Sequence, residues 1–258
     1  MTATLQVEGL GIRFGGLVAL QDVSFSVAPG TIHAVIGPNG AGKTTLINLI
    51  TGLYRPTSGQ VLLEGTPLAG LAPHRIAARG VARSFQNTEL FTELTARENV
   101  LAGLHRHLRY GLAETVLRLP RWRHAERAAA VQADALLARV GLADQADIAA
   151  GDLALGQQRR LELARALATG PRLLLLDEPA AGLRAAEAED LVRVLLDLRD
   201  TLGLAILLVD HVMRVVMQVS DRITVLHHGR LLADDTPEAI RRNPAVIAAY
   251  LGGSAHAA

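Results

Sequence analysis

The chain has 258 residues, with 26 basic against 25 acidic side chains, half of them hydrophobic and 3% aromatic. That is material for one large domain or two small ones with a buried core, and it excludes a disordered chain. Near-balanced charge argues against a nucleic-acid coat or a polybasic membrane anchor, and the lack of cysteine excludes a disulfide scaffold, a Cys-based zinc site and a thiol nucleophile.

The opening segment, MTATLQVEGL, has neither a basic start nor a long apolar run, so no secretory signal is expected and the chain is read as cytoplasmic. Leu5 to Phe14 and Val18 to Val27 read as strands, closed by the turn Pro29-Gly30. Thr31 to Ile36 is an apolar run suited to a buried strand, followed by a Gly-rich loop and a helix from Lys43 to Gly52. Val61 to Glu64 suggests another strand. From Ala96 to Ala168 the pattern becomes helical, rich in Ala, Leu, Arg and Glu. A basic segment, Leu104 to Arg127, lies inside it and reads either as a solvated helical face or as a contact for lipid headgroups or a membrane subunit. Then come a strand at Arg172 to Leu176, a helix at Ala185 to Thr201, a strand at Leu204 to Val209, a helix at His211 to Val219 and a strand at Ile223 to Leu226. Pro237 to Leu251 gives two short helices split at Asn243-Pro244, and the final GGSAHAA is expected to fray. Alternating strands and helices predict an α/β fold with a mostly parallel sheet.

Gly37 to Thr44, GPNGAGKT, fits the phosphate-loop pattern G-x-x-x-x-G-K-[ST] between a predicted strand and a predicted helix. Its chemistry is anion binding, because backbone N–H groups and a helix N-terminus converge where glycine allows close approach. The candidate nucleotide contacts are Gly37, Pro38, Asn39, Gly40, Ala41, Gly42, Lys43, Thr44 and Thr45. Of the basic residues, all but Lys43 are arginine. That one lysine stands where phosphate-loop chemistry asks for a compact ammonium on a flexible stem, bridging the β- and γ-phosphates. Thr44 is a candidate Mg²⁺ ligand. Leu173 to Glu178, LLLLDE, would deliver a carboxylate pair at the end of a buried strand, with Asp177 toward Mg²⁺ and Glu178 as base for the attacking water.

With these motifs in order, the chain resembles the nucleotide-binding subunit of ABC transporters over about residues 4 to 252. Phe14 matches the aromatic that stacks on adenine in that family. Gln86, in SFQN, matches the glutamine that links Mg²⁺ to the membrane subunit. LALGQQRRLELARAL, Leu153 to Leu167, resembles the family signature, and PAAGL, Pro179 to Leu183, the loop at the dimer interface. His211 matches the switch histidine that contacts the γ-phosphate. The resemblance implies catalytic roles for Glu178, His211, Gln86 and Lys43. It implies metal contacts at Thr44, Gln86 and Asp177, and contacts from Ala154, Leu155, Gly156 and Gln157 to the nucleotide of a partner ATPase. ATP and Mg²⁺ are the implied cofactors.

Three departures stand out. Ala154 and Leu155 replace the usual serine and first glycine of the signature, Arg184 stands where the interface loop commonly carries Asp or Asn, and Asp210 and Val212 flank the histidine in place of Glu and Asp.

The implied fold is a P-loop NTPase (RecA-like) α/β core with an N-terminal antiparallel β subdomain, about 4–86 and 166–242. An inserted α-helical subdomain spans about 87–165, a C-terminal helical extension 243–252 and a frayed tail 253–258. RFGGLVAL (Arg13 to Leu20), the basic stretch before Val140 and the ending NPAVIAAYLG resemble the larger ATPase of branched-chain amino acid importers. That branch implies two membrane permease subunits, a second ATPase subunit (or a second copy of this chain) and, indirectly, a solute-binding protein. It places the chain peripherally on the cytoplasmic face of the inner membrane. Related importers carry urea, amides or aromatic acids. The competing readings are the homodimeric ATPase of a lipopolysaccharide-type exporter and a soluble ABC ATPase outside transport.

Overall fold

The computed structural model describes residues 3–84, 89–107, 114 and 120–251. The expectations for Gln86 and for the tail 253–258 lie outside the described residues, as do Arg109 and Arg118 of the basic segment. The chain forms two compact units, one of residues 1–83, 172–181 and 195–258, the other of 84–171 and 182–194.

The first unit holds two sheets. Strand β1 (Leu5–Phe14) pairs antiparallel with β2 (Leu17–Val27) and β4 (Ser58–Leu63), and β5 (Thr66–Pro67) completes the order β2-β1-β4-β5. Period-2 alternation sends Val23, Phe25 and Val27 inward from β2 while Ser24 and Ser26 face out, and a register shift at Asp22 (φ +53°) brings Leu20 inward as well. The second sheet has the order β10-β9-β3-β8-β7-β6, from β3 (Ile32–Ile36), β6 (Val81–Arg83), β7 (Leu173–Asp177), β8 (Ala205–Val209), β9 (Arg222–His227) and β10 (Arg230–Asp235). All neighbours are parallel except β10, which returns antiparallel beside β9. Every residue of β3, β7 and β8 is buried, as continuous apolar runs in a covered parallel sheet should be.

The order β3-β8-β7 decides where chemistry can happen. Three adjacent parallel strands end at the same edge, so the loops that follow them are neighbours, and such carboxyl-end crevices are where open α/β sheets bind ligands.

Helix α1 (Lys43–Ile50) follows β3 and buries Leu46, Ile47, Leu49 and Ile50. It ends two residues short of the expected Gly52, which adopts φ +75°. Short elements absent from the sequence reading are β5, β6, β10 and α2 (Pro73–Ala78). β5 and β6 carry too few residues to show a period, and β10 runs half-buried without alternation.

In the second unit, α3 (Ala96–Leu104) opens on a capping box. The Glu98 N–H donates to Thr95 Oγ1 at 3.2 Å while the Thr95 N–H donates to Glu98 Oε2 at 2.8 Å. The buried Asn99 side chain donates to the Phe91 and Thr95 carbonyls, both at 3.0 Å, and accepts the Phe91 N–H at 2.9 Å. Helices α4 (Pro120–Arg139) and α5 (Leu155–Ala168) pack with it through Val100, Ala133, Leu137 and Leu161. The helical block is not continuous, because 3-10 turns and loops occupy much of 140–154. Arg121, Arg123 and Arg127 are exposed on α4.

Helix α6 (Ala185–Leu202) runs from the second unit back into the first. It is followed by α7 (Met213–Val219), α8 (Pro237–Arg242) and α9 (Pro244–Leu251). Helix α7 starts two residues later than His211. The His211 and Val212 N–H groups are both taken by the Asp210 side chain, which turns the chain before the helix begins.

Candidate functional site

The loop after β3 is shaped by backbone. A side chain on Gly37 (φ +156°) would meet the Leu226 carbonyl oxygen at 2.2 Å, and one on Gly42 (φ +102°) would meet Leu20 Cδ2 at 2.5 Å. Only glycine fits either place. No side chain caps α1, and no acidic residue stands in its first turn. Its N-terminal N–H groups and the positive end of its dipole therefore remain for an anion.

Lys43 is buried, and its Nζ donates to the Gly37 carbonyl at 2.7 Å and the Pro38 carbonyl at 3.2 Å. Burial pulls its pKa below the usual lysine range, against the pull of Glu178 and Asp177. The ammonium is thus folded back on its own loop, next to the carboxylates at the end of β7. Thr44 is exposed and Thr45 half-buried.

Asp177 closes β7 and is almost fully buried. Burial raises its pKa, opposed first by Arg83, whose Nη2 donates to Asp177 Oδ2 at 2.9 Å. The other arm of Arg83 donates to Asn48 Oδ1 on α1 at 2.9 Å. Arg83 was not singled out from sequence, and its only signal was a cation on a short apolar segment. Glu178 sits at φ +52°, a left-handed conformation that costs a non-glycine residue energy and is found at functional turns. Its N–H donates to the Val209 carbonyl at 2.7 Å, which joins the end of β7 to the end of β8. Glu178 Oε1 lies 3.7 Å from Nδ1 of His211, itself largely exposed.

Next to His211 in the chain is Asp210, fully buried. Its Oδ1 accepts the N–H groups of His211 at 2.7 Å and Val212 at 2.8 Å, and its Oδ2 accepts the Ala180 N–H at 3.0 Å. Burial raises its pKa, opposed by those three N–H groups. In the sequence Asp210 showed only as a departure beside His211, since nothing there says its carboxylate spans two loops.

Phe14 closes β1 with 44% of its surface exposed. Tyr54 meets it edge to face, with centroids 5.2 Å apart at 73°. Gln86 lies outside the described residues. The structure therefore brings together Lys43, Asp177, Glu178 and His211 in the first unit, with Phe14 on the same unit.

Ala154, Leu155, Gly156 and Gln157 belong to the second unit, at the start of α5. Gln157 Oε1 accepts the Ala154 N–H at 3.0 Å, so the reciprocal half of the capping box survives where alanine cannot supply the other half. Gly156 is close-packed, because a Cβ there would lie 2.9 Å from Glu187 Cγ. Leu155 is exposed. Arg184 does not reach for a distant partner. Its backbone N–H donates to Glu187 Oε2 at 2.9 Å and its guanidinium to Glu187 Oε1 at 3.1 Å, so the Glu187 carboxylate caps the start of α6 by accepting from both.

Among the described residues no group of three or more His, Asp or Glu side chains is placed to hold a metal, and no helix is long and apolar enough to cross a membrane.

Comparison with known proteins gives a consistent set of relatives. The ABC transporter family profile matches residues 20–181, and a profile described as branched-chain amino acid ATP-binding cassette transporter matches residues 230–256. The chain is 49% identical to the high-affinity branched-chain amino acid transport ATP-binding protein BraF of Pseudomonas aeruginosa, over 96% of this chain and 97% of BraF. It is 48% identical to the corresponding LivG of Escherichia coli K12 over the same shares. Among solved structures, the ADP conformation of MJ1267, an ATP-binding cassette of an ABC transporter, superposes with a TM-score of 0.83 at 30% identity. That match covers 98% of this chain and all of MJ1267.

Proposed function

The chain belongs to the ABC transporter family, and on that premise we propose that it is the ATP-hydrolysing subunit of an importer for branched-chain amino acids. One observation carries the substrate class. Relatives named for that transport are nearly half identical along almost the whole chain, and the match continues through the C-terminal segment. In such an importer the solute contacts lie on other subunits, so the substrate class is read from the relatives rather than from this chain.

The chemistry proposed for the site uses this chain's own groups. The loop from Gly37 to Thr45 receives the phosphates on backbone N–H groups, and Phe14 offers an exposed face to the adenine. Lys43 exchanges the Gly37 and Pro38 carbonyls for phosphate oxygens, so its buried charge is better compensated in the loaded site. Thr44 and Asp177 supply the hydroxyl and carboxylate oxygens that suit Mg²⁺, which takes few protein ligands when phosphates and water fill its shell. Bound there, Mg²⁺ would neutralise charge on the β- and γ-oxygens. Glu178 accepts a proton from the water whose oxygen attacks the γ-phosphorus in line, as the bond to the ADP oxygen breaks. His211, tied to Asp210 through its backbone, holds the γ-phosphate side. Gln86 is assigned the link to metal and permease on the resemblance alone. The segment Ala154 to Gln157 is assigned to the nucleotide of a partner ATPase, which makes the working unit a dimer on two permease subunits at the cytoplasmic membrane face.

The test is to tag the chain in its native cell, solubilise membranes gently and identify co-purifying proteins, while measuring uptake of labelled leucine after deletion of the gene. Two hydrophobic permeases, a second ATPase and lost uptake are expected. Recovery of only a second copy with export-type membrane proteins, or undiminished uptake, would overturn the importer reading.

A further inference from the structure

Phe14 ends β1 and pairs with Leu17 across a turn made of Gly15 and Gly16. A Cβ built on either glycine would meet no heavy atom within 4 Å among the described residues, so the turn leaves the Phe14 ring open on that side. The ring that does reach it belongs to Tyr54, from the segment beyond α1. The two centroids are 5.2 Å apart and the ring planes cross at 73°. Both rings are exposed.

The Tyr54 segment is fastened on both sides. The Tyr54 N–H donates to the Asn48 carbonyl of α1 at 3.1 Å. Further along, the Thr57 N–H donates to the Gly11 carbonyl of β1 at 2.8 Å, and Thr57 Oγ1 donates to the same carbonyl at 3.1 Å. Between α1 and Tyr54 the chain turns at Gly52 (φ +75°), where a side chain would meet the Leu71 carbonyl oxygen at 2.9 Å. All of these residues belong to the first compact unit. Tyr54 is thus fixed by backbone to the helix that closes the phosphate loop, and it touches by its ring the aromatic that ends β1.

An exposed ring beside two glycines has rotational freedom to lose when a base stacks on it, and a neighbour that orders it beforehand reduces that loss. An edge-to-face contact suits this role, because the positive edge of one ring meets the negative face of the other. It also takes up at most one face of Phe14, so a face stays available to a flat base. We propose that Tyr54 is a positioning residue for the adenine site, holding the Phe14 ring in the orientation that receives the base and referring that ring to α1. This rests on the reading of the loop as the ATP site and of Phe14 as its adenine platform, and it adds a determinant of affinity from a segment outside both.

The test uses the full-length chain and titration calorimetry. Tyr54→Leu should weaken MgATP binding about three- to tenfold, the worth of one aromatic pair. Magnesium tripolyphosphate, which carries the phosphates without a base, should bind this variant as it binds the wild type. Tyr54→Phe should restore ATP affinity, because the ring rather than the hydroxyl makes the contact. In a chain already carrying Phe14→Ala, Tyr54→Leu should weaken ATP no further, since Tyr54 acts through Phe14. Unchanged ATP affinity in Tyr54→Leu overturns the proposal. So do equal losses for ATP and tripolyphosphate, which mark Tyr54 as packing beneath α1. An undiminished loss in the Phe14→Ala chain also overturns it, because Tyr54 then acts without Phe14. If Phe14→Ala alone leaves ATP affinity at the wild-type value, the adenine-platform reading has failed and the proposal falls with it, a result distinct from the others.

Discussion

The Asp210 carboxylate accepts the Ala180 N–H at 3.0 Å across the gap between two loops, while its other oxygen holds the N–H groups of His211 and Val212. One buried side chain thus ties the histidine segment after β8 to the segment that follows Glu178. Arg184 is turned onto Glu187, whereas the Ala180 N–H is taken by Asp210.

Asp210→Asn tests that tie with minimal change of shape. An amide keeps one acceptor for His211 and Val212 but turns an NH₂ toward the Ala180 N–H. A buried donor left unpaired costs about 1–3 kcal/mol. Turnover should fall about tenfold with ATP affinity retained, and Asp210→Glu should recover part of it. Wild-type kcat in the Asn variant, by steady-state phosphate release, would remove Asp210 from this role.

Glu178→Gln keeps the side-chain size and loses the base. Its kcat should drop about 10²- to 10⁴-fold, the usual worth of general base catalysis, while ATP still binds. Turnover close to that of the wild type would assign proton acceptance elsewhere.

Lys43→Ala removes the ammonium that the loop now holds on Gly37 and Pro38. Affinity for ATP should fall about ten- to a hundredfold, the worth of a charge-assisted contact. Titration calorimetry reads this directly, and equal affinity in wild type and variant contradicts the phosphate-loop assignment.

Arg83→Gln leaves Asp177 buried without its cation. Breaking a buried pair from one side costs about 3 kcal/mol. Urea unfolding should show the loss, and adding Asp177→Asn should restore part of it, because the stranded charge is then gone. Equal stability of the single and double variants would deny the pairing its importance.

His33 gives a pH signature in the sheet rather than the site. It is buried on β3, with Nε2 2.8 Å from Thr224 Oγ1, and burial lowers its pKa to about 4 from 6.5. Asp234 works against that shift and Arg222 with it. The native state resists the proton that the unfolded chain accepts. Stability is therefore full above pH 6.5 and is lost as pH falls toward 4, on the order of 3 kcal/mol in total. In His33→Gln that portion of the pH dependence should vanish, and an unchanged profile assigns it to other groups.

What the sequence determined by itself was local chemistry. A phosphate loop announces itself because glycines, lysine and threonine must follow one another closely to wrap an anion. The apolar runs of β3, β7 and β8 announce themselves because a doubly covered strand has no polar face to alternate. Even the carboxylates of Asp177 and Glu178 could be placed, since they end such a run. The tertiary structure alone decided which distant residues share a site. Arg83 pairs with Asp177 because β6 lies beside β7, and Asp210 reaches Ala180 because β8 lies between β3 and β7. Those partners are separated by tens of residues. A hydrogen bond across such a span leaves no periodicity or spacing to read, only a polar side chain whose acceptor appears once the strands are ordered.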